Sequence, residues 1–182
     1  MSGRAASATP VMDGLRQCGD CSLCCKVLGI PELDKPKDQW CPNFAAGTGC
    51  RIYKDRPPSC RNFNCRWLTD PAMGPEWKPS VCKMVVDSRP SLFVVHVDPA
   101  VLRPWAREPY LSVLKRLSAQ GLSKGVIVMV IERRRTIVIL PDREVDLGMI
   151  GPDARIAMEP VKTPQGLSWQ PRVMGAGEMH DG

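Results

Sequence analysis

CGDCSLCCKVLGIPELDKPKDQWCPNFAAGTGCRIYKDRPPSCRNFNC, residues 18–65, holds eight of the nine cysteines in the chain. They are Cys18, Cys21, Cys24, Cys25, Cys41, Cys50, Cys60 and Cys65; only Cys82 lies outside. A free cysteine packs as one small hydrophobe among many, so packing does not account for such density. The N-terminal stretch lacks the apolar central region of a secretory signal. The expected compartment is therefore the reducing cytoplasm, where structural disulfides are rare. An odd cysteine count also fits poorly with full pairing. The reading that follows is metal ligation by thiolates, with all eight clustered cysteines as candidate ligands.

Two backbone arrangements suit CGDCSLCC. In a knuckle, each Cys-x-x-Cys turn aims two sulfurs and nearby N–H groups at one ion. On a helix, Cys18, Cys21 and Cys25 share a face and Cys24 points away. In either arrangement the adjacent Cys24 and Cys25 do not comfortably grip one ion, so they serve different metals or one is not a ligand. Residues 26–40 read as a short strand and a loop, since Pro31 and Pro36 rule out a long helix. Gly47 and Gly49 make a turn before Cys50, and Arg51–Tyr53 reads as a short strand. Pro57 and Pro58 open a helix through Cys60. On an unbroken helix Cys60 and Cys65 stand about 140° apart and face different sites.

Arg51, Lys54, Arg56, Arg61 and Arg66 alternate with the cysteines of the second half. Cations beside thiols lower their pKa and offset thiolate charge, which makes Arg56 and Arg61 candidates for supporting the ligands. The formal net charge of +6 counts every thiol as neutral. Eight thiolates around two dications would leave only about +2, so the basic excess is weak support for a nucleic-acid partner. Trp40 and Trp67, beside Cys41 and Cys65, are expected to shield the site from water.

The rest of the chain changes character. Residues 69–80 carry three prolines and a glycine and read as a linker or wrapping loop. VCKMVVD (81–87) and SLFVVHVD (91–98) read as a hairpin, with Cys82 a core residue on its first strand and His96 a strand residue. A helix is expected from about Glu108 to Gln120. VIVMVI (126–131) and TIVIL (136–140) flank ERRR as a second hairpin. REVDLG and ARIAMEP read as edge strands. The predicted fold class is α+β: a small cysteine-rich metal-binding module over 18–68, packed with an antiparallel sheet and one main helix over 81–172. Flexible tails are expected at 1–17 and 173–182.

CxxCxxCC, a distant cysteine and then CxIYxxRPxxCRxFxC together resemble the YkgJ-like cysteine-cluster family. The residues that carry the resemblance are the eight clustered cysteines with Tyr53, Arg56, Pro57, Arg61 and Phe63, all within about 18–67. The resemblance implies a zinc- or iron-chelating domain and a bacterial protein, with iron–sulfur chemistry as one use of it. Flagellin lysine N-methylases are similar in carrying such a module.

Zinc takes four ligands, so eight cysteines suit two closed sites of structural role. The run Cys18-x-x-Cys21-x-x-Cys24 instead matches the start of a ferredoxin run for a 4Fe-4S cluster, with Cys41-Pro42 as remote fourth ligand. Zinc and iron both stay open at this point. The vicinal Cys24–Cys25 pair also suits a redox switch, which leaves the other thiols unexplained. No Gly-rich phosphate loop, catalytic triad pattern or paired carboxylate appears. The expectation is a metal-binding protein, with metal ions and an unidentified protein as partners. An iron–sulfur enzyme, for electron transfer or protein methylation, and a zinc-based nucleic-acid or protein interaction module are the alternatives. No apolar run is long enough for a transmembrane helix.

Overall fold

The computed structural model describes Arg16, Cys18 and residues 21–151, 153–164 and 166–175. The expected tails therefore lie mostly outside the described residues. The fold is mixed α and β, as expected. Its centre is a five-stranded sheet in the order β3 (Met84–Arg89), β4 (Leu92–Val97), β5 (Ile127–Glu132), β6 (Arg135–Ile139) and β7 (Glu144–Asp146).

Both predicted hairpins are present. Arg89 pairs with Leu92 across a two-residue loop, and Glu132 pairs with Arg135. The second turn places Arg133 and Arg134 at φ 48° and 68°. Two successive positive φ values match the right-handed twist of the flanking strands.

The sheet departs from the antiparallel expectation at one seam. β4 and β5 run parallel, with Leu92 opposite Ile127 and His96 opposite Ile131. A parallel neighbour needs a long crossover, and helix α5 (Tyr110–Gly121) supplies it. This is the one main helix expected.

Alternation along the strands buries both sheet faces. Met84, Val86, Phe93, Val95, Val97, Val128, Val130, Ile137 and Ile139 form one core with Leu114 of α5, Trp77 and Trp105. Val85, between Met84 and Val86, points the other way. It packs with Leu23 and Val27, which lie four apart on one side of α1 (Cys24–Val27) and its start. The cysteine-rich segment is thus seated on the far face of β3.

Several local expectations need correction. Residues 69–80 wrap onto the core and are not a free linker, with a 3₁₀ turn at Pro75–Trp77 and Trp77 buried in the main core. Cys82 is buried, as expected, but it ends helix α4 (Pro79–Cys82) and is not on a strand. Pro79 opens that turn and Lys83, at φ 63°, closes it before β3 begins. Arg51–Tyr53 is a turn, and the strands there are β1 (Phe44–Ala45) and β2 (Gly49–Cys50). Gly47, at φ 77°, turns the chain between β1 and β2, and Gly49, at φ 88°, opens β2. Residues 26–40 hold the end of α1, a 3₁₀ turn at Pro31–Leu33 and a single bridge between Ile30 and Lys35 in place of a strand. β7 is an edge strand, but β8 (Arg155–Thr163) pairs only with β9 (Gly166–Met174) in a separate hairpin. β9 runs through Val173 and Met174, where a tail was expected. Arg143 ties that hairpin back through Ser168 Oγ and the Trp169 carbonyl.

Candidate metal centre

The site is built on α1. Its apolar side holds Leu23 and Val27 against Val85, and Cys24, Leu28, Phe63 and Cys65 pack around that cluster. Lys26 Nζ meets Asp98 Oδ1 at 2.6 Å and fastens α1 to the end of β4. The Cys25 carbonyl accepts a bond from the Cys41 N–H at 3.0 Å, and the Cys41 carbonyl from Phe44 N–H at 2.9 Å. Phe44 in turn pairs with Cys50.

Pro57 and Pro58 start α2 (Pro58–Asn62), which carries Cys60. That helix ends at Phe63, and Cys65 then stands at the N-cap of α3 (Arg66–Thr69). The break between Cys60 and Cys65 removes the offset of about 140° that an unbroken helix would impose on them.

All eight clustered cysteines line one cavity of about 600 Å³. Cys82 is not among its walls. Every one of the nine cysteines is an unpaired thiol. Among the described residues, no group of three or more His, Cys, Asp or Glu side chains converges at metal-ligand geometry. Four thiolates on one zinc lie about 3.8 Å apart, as the Zn–S bond length and a tetrahedron require.

Electrostatics divides the thiols. The Cys24–Cys25 hydrogen bond pushes the Cys24 thiol up and, with burial against it, brings Cys25 down to about 7. Lys35 and Arg56 add to the lowering at Cys25. Burial pushes Cys18, Cys60 and Cys65 up. The thiols that act on Cys60 are Cys25, Cys41 and Cys50. Those that act on Cys18 are Cys21, Cys65 and, most weakly, Cys25. Burial holds the Cys82 thiol at about 12.

Arg56 and Arg61 both line the cavity, as the alternation of cations and cysteines suggests. Arg56 stacks over the Tyr53 ring at 3.7 Å, and its Nε donates to the Tyr53 carbonyl at 2.8 Å.

Three other polar side chains escaped the reading of the sequence. Lys35 is buried and donates from Nζ to the Lys26 and Leu28 carbonyls, capping the end of α1. Burial lowers its pKa, and Cys41 and Cys25 are the charges that oppose this most. Arg16 lines the cavity and donates to four carbonyls, those of Trp67, Asp70, Pro71 and Met73. Glu32 Oε1 accepts from Ser59 N and Oγ, both at 2.9 Å, and ties the 31–33 turn to α2. Position beside the cysteines was the one available signal for Lys35 and Arg16, and Glu32 had none.

The tryptophans do not shield the cavity. Trp40 stacks on Phe44 with centroids 4.0 Å apart and is 47% exposed. Trp67 lies beneath Arg16 at 4.8 Å and packs on the main core. Leu28, Ile30, Phe63, Leu68 and Val85 supply the apolar wall instead. His96 is a buried strand residue on β4, held by burial at a pKa of about 4.

No protein-family model matches this chain, and neither does any curated protein or solved structure.

Proposed function

We propose that this chain is a metal-binding protein whose clustered cysteines chelate zinc or iron, in a structural or redox role. One observation carries the reading. Eight cysteines from α1, two loops, β2, α2 and the start of α3 all line a single cavity, while the ninth is buried elsewhere. Thiolates are the ligands that zinc and iron–sulfur centres take. Arg56, Arg61 and Lys35 would offset the negative charge of a thiolate-bound centre. The metal would supply cross-linking if it is zinc, and electron exchange if it is an iron–sulfur cluster.

The test is an absorption spectrum with elemental analysis on anaerobically purified protein. A broad band near ~400 nm with iron and sulfide marks an iron–sulfur centre. A colourless protein with about two zinc ions per chain marks closed structural sites. Protein free of both metals, even after anaerobic reconstitution, overturns the proposal.

A second reading, an iron–sulfur enzyme, has one observation in its favour. The cavity of about 600 Å³ falls within the size range of small-molecule sites. It predicts a coloured, oxygen-sensitive protein.

A further inference from the structure

Resting on the metal-binding reading, we infer that the eight thiols form two separate four-sulfur sites, divided between the adjacent residues Cys24 and Cys25. One site is Cys18, Cys21, Cys24 and Cys65. The other is Cys25, Cys41, Cys50 and Cys60.

Packing and backbone bonds support the division. Cys24 and Cys65 both pack on the Leu23–Val27–Val85 cluster, on the sheet side of α1. Cys21 N–H donates to the Cys18 carbonyl at 2.9 Å, which ties these two residues together just ahead of α1. Cys25 is not among the residues packed on that cluster. Its carbonyl holds Cys41, and Cys41 leads through Phe44 to Cys50. The Glu32–Ser59 bonds bring α2, with Cys60, to the 31–33 turn that follows α1.

Lys35 is buried and its Nζ donates to the Lys26 and Leu28 carbonyls, which places a cation at the end of α1, just beyond Cys25. Helix geometry gives the reason for the divide. Neighbouring residues on a helix leave the axis about 100° apart, so Cys24 and Cys25 can turn to different ions even though their thiols lie within hydrogen-bonding reach of each other. Two-cluster ferredoxins divide a cysteine run in a comparable way, one residue of the run serving the other cluster.

The test compares metal content per chain in double variants of the full-length protein, prepared identically. Cys24→Ser/Cys65→Ser breaks one site and keeps about half of the wild-type metal. Cys25→Ser/Cys60→Ser also keeps about half. Cys24→Ser/Cys60→Ser breaks both and keeps almost none. Equal retention in all three doubles, or complete loss from a within-site double, overturns the division.

Cadmium NMR of the unmutated chain reaches the same question without relying on variants that fold. Two thiolate-type cadmium resonances without mutual splitting support separate sites. Splitting between them means shared sulfurs and a single cluster. A wild-type chain that takes up no zinc, iron or cadmium defeats the metal reading itself, and the division falls with it.

Discussion

His96 offers a quantitative test of how the sheet is buried. It lies on β4 opposite Val85 and Ile131 and is only 9% exposed. Burial, with Lys37 and Arg89 nearby, holds its pKa at about 4, and Asp87 partly opposes them. In the unfolded chain the ring titrates near ~6.5. Between these values the unfolded state binds more protons than the folded one, so stability falls as pH drops. Above ~6.5 both states are neutral and His96 contributes nothing. At pH 5 the linkage relation gives a loss of about 2 kcal/mol, and about 3 kcal/mol once pH is below 4. For a chain of this size, 2 kcal/mol lowers Tm by roughly 4–8 °C. The assay is denaturant unfolding of metal-stripped protein at pH 7 and pH 5, for wild type and His96→Leu. Chelation removes the separate proton linkage of metal binding. The carboxylates titrate alike in both proteins, so the difference between them isolates His96. An equal loss in wild type and His96→Leu refutes the reasoning.

Three further outcomes are expected. Glu132→Ala orphans the Arg103 N–H and the Trp105 indole N–H, which its carboxylate accepts at 2.6 and 3.3 Å. Unfolding free energy should fall by about 2–4 kcal/mol, with a smaller loss for Glu132→Gln, and equal losses would contradict this account. Lys35→Met removes the donor to the Lys26 and Leu28 carbonyls and should cost about 2–3 kcal/mol. The same change should raise the Cys25 pKa above its value of about 7, as read by the pH dependence of alkylation in metal-stripped protein. In that protein near neutral pH, mass spectrometry should find Cys25 modified early and Cys82, held at about 12, only after unfolding. Early labelling of Cys82 would count against its burial in the main core at the end of α4.

Much of the fold was legible because its signals are local. The helix at Tyr110–Gly121 shows its apolar stripe within the segment, and both main hairpins show β-rich runs around short polar turns. Pro57 and Pro58 mark the start of α2 by fixing φ. Errors arose where a neighbouring residue overrode the run. Cys82 sits in an apolar stretch, yet Pro79 and left-handed Lys83 make it the end of a helical turn. The β8–β9 hairpin was missed on its second strand, where Gly166 and Pro171 weaken the alternating pattern.

The sequence by itself determined that eight thiols lie close along the chain, with cations between them, and that a sheet and one main helix follow. Density, spacing and periodicity are properties of neighbouring residues, so they need no fold to be read. Only the tertiary structure decided that β4 and β5 run parallel, that Lys35 turns inward to cap α1, and that all eight thiols line one cavity. These depend on which distant segments meet. That is set by the burial of Val85, Leu23 and Val27 together and by the Cys25–Cys41 backbone bond. Spacing along a chain does not encode such meetings, because closing a loop costs entropy that only the assembled core repays.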